Sequence, residues 1–344
     1  MQEIIIGPNQ AGQRLDKLLR KCLPEAGSSF LYKMLRKKNI VLNGRKAEGR
    51  ELLRQGDVVQ MFFAEETYRK FAGDVGEPMD THDMGAGSDA SGQESNHGRE
   101  DNYIRAYRAL KGISVIYEDK NIVVLNKPAG ILTQKAKDTD LSLNEWLIGY
   151  LLENGGIAVC ELRTFKPAVC NRLDRNTSGL VLCGKSLSGL QSLSEILRTR
   201  ELAKFYRTIC VGELREDARL TGYLRKDMRS NRVEISKYSD IPDADMIQTA
   251  YHPVAVHDGY TLLEVELITG KTHQIRAHLA SIGHPIIGDY KYGDPHVNER
   301  LKELCGLKHQ LLHAYRIVMP DKRELTAPYP ALFEDALKIL FPDL

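Results

Sequence analysis

The stretch NRLDRNTSGLVLCGKS, residues 171–186, decides how this chain is read. A polar loop holds Asp174 between Arg172 and Arg175, then runs through Asn-Thr-Ser-Gly straight into an apolar strand at Gly179–Cys183. Loops at strand ends are where a sheet presents reactive side chains on a rigid base. Working outward, Ser114–Glu118 and Asn121–Asn126 read as paired strands, followed by a turn at Lys127-Pro128-Ala129-Gly130. Helices are predicted over Leu143–Leu152, which carries the single tryptophan Trp146, and over Leu187–Arg200. Lys204–Val211 and Thr261–Ile268 read as strands, the second turning into a helix over Thr272–Ile282. Strands and helices mixed without regular βαβ alternation predict an α+β domain over residues 103–344, built on a mixed, largely antiparallel central sheet.

A smaller unit precedes it, over residues 1–66. Leu15, Leu18, Leu19 and Cys22 fall at i, i+3, i+4 and i+7, one buried stripe of a helix. A second helix is expected to start at a Ser28-Ser29 cap and to bury Leu31, Met34 and Leu35. Ile40–Leu42 reads as a strand closed by Asn43-Gly44, a tight-turn pair, and Val58–Phe63 as another. Residues 1–46 hold ten Lys/Arg against three acids, and the polar helix faces carry Arg14, Lys17, Lys33, Arg36 and Lys37. A cationic side of this kind suits a polyanionic partner. Residues 73–102 reverse the sign, with eight acids against Arg99, six glycines and almost nothing apolar. Such a segment does not recover its ordering entropy, so a flexible acidic linker is expected over residues 67–102.

Composition excludes several classes. No run approaches the roughly 18 apolar residues that cross a bilayer. The start, MQEIIIGPNQ, is not expected to act as a secretory leader. Six scattered cysteines without a C-x-x-C pair predict reduced thiols, a cytoplasmic location and no zinc site. Gly270-Lys271-Thr272 hints at a phosphate loop, but Val265 stands where that motif needs glycine. His273 and His278 are five apart and do not share a helix face as a zinc pair would.

The run from Asn171 resembles the catalytic motif of the RluA family of RNA pseudouridine synthases, usually H-R-L-D-x-x-T-S-G. Three further segments resemble that family in the same order: IVVLNKPAGILT (122–133), KFYRTICVG (204–212) and LITGKTHQIRAHLASIGHPIIGDYKYG (267–293). LLHAYRIVMP (311–320) is similar to its closing strand. The first unit resembles the S4-type RNA-binding domain through RLDKLL, IVLNG and RQGDVV. A related small-subunit branch continues into Asn-Asp after the strand, where this chain has Gly184-Lys185-Ser186, so the large-subunit branch is the nearer likeness.

The resemblance implies the pseudouridine synthase fold with a small N-terminal α/β-hairpin S4-like domain. It implies Asp174 as catalytic carboxylate, Tyr206 packing on the target base, and Arg276 paired with the aspartate. Uridine isomerisation breaks C1′–N1, rotates the uracil and joins C5 to C1′; no redox occurs, so no cofactor or metal is expected. A carboxylate serves such a path as nucleophile or as acid/base partner. Arg276 beside Asp174 is expected to hold it ionised, since an adjacent cation lowers a carboxylate pKa by roughly 1–3 units. Arg172 suits phosphate contact or the gap left by an extruded base. Structured RNA is the implied partner, large-subunit ribosomal RNA or a pre-ribosomal particle, with no membrane and a monomeric chain.

Each residue alone has a plainer reading. Asp174 caps a turn, Tyr206 is a sheet tyrosine, and Arg276 is a solvated helix charge. Only their ordered company overturns those readings. Two positions depart from the family pattern: Asn171 replaces histidine, and Lys271 replaces an arginine and loses its planar fork. Two alternatives stay open, a non-catalytic RNA-binding or ribosome-assembly factor with a retained synthase fold, and a transfer-RNA-directed synthase.

Overall fold

The computed structural model describes residues 1–72, 94–227, 232–238 and 242–344. The N-terminal lobe contains β1 (Gln2–Ile5), α1 (Leu15–Cys22), α2 (Ser28–Arg36), β2 (Ile40–Leu42), β3 (Arg45–Lys46), β4 (Val58–Met61) and α3 (Glu65–Ala72). Its strands form one antiparallel sheet in the order β1-β4-β2-β3. Asn43 and Gly44 both take positive φ, as the tight β2–β3 turn requires. Leu15, Leu18 and Leu19 are fully buried, which is the stripe their spacing demands. α2 starts where the sequence places it, but Gly27 is its N-cap and no side chain caps it. The expected serine cap is corrected accordingly.

Both ends of the stretch expected as a linker are helical. α3 packs on the lobe, with the Phe71 ring 4.2 Å from that of Phe30 and Ala72 buried in the same core. At the other end α4 (Glu94–Ala109) lies against the next helix, α5 (Leu143–Glu153). The remaining part of the linker expectation, residues 73–93, lies outside the described residues.

The second unit continues with β5 (Ser114–Glu118), β6 (Ile122–Lys127), a 3₁₀ turn at Val159–Arg163, β7 (Ala168–Val169), β8 (Ser178–Gly184) and α6 (Leu187–Thr199). Then come β9 (Ala203–Val211), β10 (Ala218–Asp227), β11 (Arg232–Ser236), β12 (Asp245–His257), β13 (Tyr260–Leu267) and α7 (Gln274–Ser281). α8 (Pro295–Cys305), β14 (Leu312–Val318), β15 (Glu324–Thr326) and α9 (Ala331–Leu340) complete it. The large sheet runs β11-β10-β12-β13-β9-β14-β8-β6-β5, with β15 on β14 and β7 on β8. Among the described strand pairs only β14 with β8 is parallel, beside one isolated parallel bridge between Leu132 and Ser142. The α+β expectation, with a mixed and mostly antiparallel sheet, is what the structure shows.

β8 is buried along its whole length because helices cover both faces of the sheet centre. Val181 and Cys183 join the core beneath α5, while Leu180 and Leu182 point the other way, into the core under α6. Period-two alternation between two apolar layers explains an unbroken apolar run. The lobes meet at the 3₁₀ turn. Gln10 Nε2 donates to Thr164 Oγ1 at 2.8 Å, a buried bond, and Lys21 Nζ donates to the Thr164 carbonyl at 2.7 Å.

Candidate active site

The loop bearing Asp174 is held by its backbone. Thr133 Oγ1 donates to the Leu173 carbonyl at 2.8 Å and accepts the Leu173 N–H at 3.1 Å. Gly130 N–H donates to the Arg175 carbonyl at 2.9 Å, and Arg175 Nε returns a bond to the Gly130 carbonyl at 3.0 Å. Asn171, a departure from the family pattern, accepts the Leu182 N–H at 2.7 Å through Oδ1 and so ties the loop to β8. The Lys127 side chain is wholly buried, and its Nζ donates to the carbonyls of Pro128, Ile131 and Arg175 at 3.0, 2.9 and 3.0 Å. Burial pulls the Lys127 pKa down to about 7, against the opposing pull of the Asp174 charge. Three carbonyl acceptors match three ammonium protons, so the charged form is the one this cage fits.

Behind the loop the chain has no room for a side chain at Gly179. Its φ is +110°, and a Cβ there would stand 2.2 Å from the Ala314 carbonyl oxygen of β14. This approach allows the short parallel contact between β8 and β14. Ser178 Oγ lies 2.9 Å from His313 Nδ1 at the same junction. The Thr-Ser-Gly of the motif is therefore the seam between two strands.

Asp174, Arg276 and Tyr206 come together as the resemblance implies. Arg276 projects from α7 and its Nη1 donates to Asp174 Oδ2 at 2.9 Å. Tyr206 is buried on β9, and burial, followed by the nearby Asp174 charge, drives its pKa upward. The phenol is therefore neutral at any ordinary pH. The Asp174 side chain keeps 26% of its surface open, while its arginine partner is buried. A carboxyl group held on one side and accessible on the other is the arrangement that a reacting acid needs.

Sequence reading missed the group behind Arg276. Asp289 is fully buried and grips the guanidinium through two bonds, Nε to Oδ2 at 2.7 Å and Nη2 to Oδ1 at 2.9 Å. Burial alone would raise the Asp289 pKa, but the Arg276 bonds and two backbone N–H groups outweigh it and the pKa is lowered. Arg276 shows the mirror behaviour: desolvation opposes its charge, and Asp289 and Asp174 more than restore it. One arginine thus bridges two carboxylates, with its fork spent on the inner one. A fork of this kind is specific to arginine. The signal lay inside the quoted GDYKYG run, yet nothing in a linear pattern pairs position 289 with position 276.

His273 also reaches the site, with Nε2 3.8 Å from Asp174 Oδ2. Arg172, in the same loop as Asp174, is exposed. Lys271 lies apart from the carboxylate and pairs with Asp245 at 2.7 Å. Arg14, Lys17, Lys33, Arg36 and Lys37 are all exposed on the N-terminal lobe, separate from the Asp174 cluster. Arg14 is tied to Asp16 by two bonds, at 3.0 and 2.8 Å, which leaves it less available than its neighbours. Among the described residues no three His, Cys, Asp or Glu are grouped to hold a metal ion. No helix among them is long and apolar enough to cross a membrane.

Comparison with known proteins bears on the family and the fold. Residues 121–281 match the family model for RNA pseudouridylate synthase. A Rickettsia bellii protein named ribosomal large subunit pseudouridine synthase C is 29% identical, covering 93% of this chain and 93% of that protein. An uncharacterized RNA pseudouridine synthase of Mycoplasma genitalium is 28% identical over 96% of this chain and 92% of its own length. Ribosomal large subunit pseudouridine synthase D of Neisseria meningitidis is 28% identical over 96% of this chain and 79% of its own. Among solved structures, human RNA Pseudouridylate Synthase Domain Containing 4 superposes with a TM-score of 0.55 at 24% identity, covering 69% of this chain and 95% of that one. The human Domain Containing 1 protein gives 0.51 at 21% identity, covering 66% and 86%. Those two likenesses concern the fold.

Proposed function

Since the chain belongs, through residues 121–281, to the RNA pseudouridylate synthases, we propose that it converts chosen uridines of large-subunit ribosomal RNA to pseudouridine, with Asp174 as the reacting carboxylate. It is an isomerase and has the fold of those enzymes. The observation that carries the assignment of Asp174 is its 2.9 Å bond to Arg276, itself clamped from behind by buried Asp289. The ribosomal substrate is supported by relatives named as large-subunit synthases that align over almost the whole chain.

The reaction needs the uridine out of its stack, which costs a few kcal/mol. Tyr206 offers a neutral aromatic plane and hydroxyl beside Asp174. Asp174 is presented on a loop whose backbone is pinned at residues 173 and 175, so it meets the sugar without reorganising. Breaking C1′–N1 and joining C5 to C1′ leaves a proton on C5, which must depart to solvent, while N1, freed from the sugar, takes one up. The departing proton gives the assay.

The N-terminal lobe is proposed as an S4-type RNA grip that works through Lys17, Lys33, Arg36 and Lys37, exposed together on α1 and α2. A cytoplasmic location fits the free thiols of Cys22, Cys170, Cys183, Cys210 and Cys305, and the chain is proposed to act as a monomer. Purified Asp174→Ala should bind ribosomal RNA as the parent does and release no tritium from RNA carrying 5-tritiated uridine. Equal release by both proteins refutes the assignment of Asp174. Mapping pseudouridine in cellular RNA after gene deletion tests the substrate: losses confined to transfer RNA would replace the ribosomal reading.

A further inference from the structure

His273 occupies a strained place for an ordinary role. It is the residue just before α7, with φ +55° and ψ +16°, in the left-handed region that side chains other than glycine rarely adopt. Strain of this kind persists only where the surroundings hold it, and it gathers at functional sites. Here the holding is visible. His273 Nδ1 lies 3.0 Å from Tyr292 Oη, and that oxygen accepts the Val233 N–H of β11 at 2.9 Å. Tyr292 is fixed in turn, since its own N–H donates to Asp289 Oδ1 at 3.1 Å and its ring lies under the Arg276 guanidinium. The ring of His273 stands edge-on to that of Tyr292. The tyrosine that aims the imidazole is itself held by the Arg276–Asp289 clamp.

The far nitrogen, Nε2, faces the Asp174 carboxylate at 3.8 Å. A nitrogen lone pair pointed at a carboxylate oxygen is repelled, whereas an N–H is attracted. The neutral ring therefore carries its proton on Nε2 and takes the Tyr292 hydroxyl proton on Nδ1. Burial keeps the ring neutral, with a pKa pushed down to about 4 despite the Asp174 charge. Both Arg276 Nη1 and His273 Nε2 address the same oxygen, Oδ2.

We propose that His273 is a positioning residue for the reacting carboxylate: its Nε2–H, aimed by Tyr292, joins Arg276 in holding Asp174 Oδ2, so that Oδ1 is the oxygen turned to the ribose. At 3.8 Å the contact is longer than a hydrogen bond. Catalytic bonds are often long in a free enzyme and close when substrate packs the site. The inference rests on Asp174 being the reacting group, as proposed above.

Asparagine and glutamine separate the two ring nitrogens. His273→Asn keeps a polar group at the Nδ1 position for Tyr292 and tolerates the left-handed backbone, but it has no donor at the Nε2 position. His273→Gln restores a donor there. In single-turnover tritium release, His273→Asn should be slower by about 10- to 100-fold, the scale of a misplaced reacting group. Its RNA affinity and melting temperature should match the parent, and His273→Gln should recover part of the rate. Tyr292→Phe should be slow as well, and the double variant no slower than His273→Asn alone.

Parental turnover in His273→Asn, with Asp174→Ala inactive, overturns this inference and spares the assignment of Asp174. Turnover in Asp174→Ala overturns that assignment as well. A slow His273→Asn whose melting temperature and RNA affinity fall with its rate, and which His273→Gln does not relieve, assigns His273 to folding and also overturns it.

Discussion

Arg276 and the cations of the N-terminal lobe put the same charge to opposite uses. Arg276 is buried, its guanidinium bonded to Asp289 and Asp174 with no slack. Lys33 and Arg36 in the last turn of α2 and Lys37 just after it are exposed, and no described ion pair binds them. A buried, fully bonded charge acts over one bond length and fixes orientation. An exposed one acts over roughly a Debye length, about 8–10 Å in ordinary salt, and fixes only approach. Under the function proposed above, the difference separates chemistry from affinity within one molecule, so variants of the two regions should fail in different ways.

The largest effect is expected at the carboxylate itself. Asp174→Asn keeps the shape, loses the charge, and should lower turnover by about 10⁴-fold in the tritium-release assay with RNA affinity intact. Next comes the inner acid. Asp289→Ala takes both inner bonds from the buried guanidinium and leaves it only Asp174, so denaturant unfolding should report a loss of about 3 kcal/mol, with turnover also reduced. A variant as stable as the parent would show that the fork matters less than its geometry implies. Gly179→Ala should destabilise by more than about 2 kcal/mol, because φ +110° and the Ala314 carbonyl both forbid the methyl.

Acid should weaken the fold from inside the second unit. Burial lowers the pKa of His278 and of His313 to about 4, in the second case against the pull of its bond to the Ala327 carbonyl. Between pH 6.5 and 4 the unfolded chain therefore binds protons that the folded one refuses, and stability falls as pH drops through that window. Melting temperatures across it should decline less for His278→Gln than for the parent. The smallest effect on chemistry belongs to the exposed cations. Lys33, Arg36 and Lys37 replaced together by alanine should raise the RNA concentration needed for half-maximal rate. The salt slope should flatten by about 2–3, with the saturated rate unchanged. A fall in saturated rate would erase the contrast drawn above.

Where neighbours in sequence are also neighbours in space, the fold was readable. Leu15 to Cys22 announce α1 by spacing alone, and Leu180 to Cys183 announce β8 by an unbroken apolar run between two turns. α4 escaped because its first half is polar and includes Gly98. Part of what holds it is tertiary: Gly149 of α5 lets the Tyr103 carbonyl come within 2.2 Å of where a Cβ would stand. The long strands β10 and β12 escaped as well, since their alternation is broken by charged and small residues on an open face. At the site, Asp174, Tyr206 and Arg276 were identified through resemblance to a motif set. Asp289, Lys127 and the Tyr292–His273 pair were not, because their meaning lies in contacts such as the Arg175 carbonyl over Lys127.

The buried bond between Gln10 and Thr164, with Lys21 on the carbonyl of the same threonine, joins the proposed grip to the Asp174 unit as one instrument of fixed length. If RNA lies along α1 and α2, the pocket samples only nucleotides standing one set span away. Site choice then becomes partly a matter of measurement, and loosening that joint should blur which uridine is struck before it slows the blow.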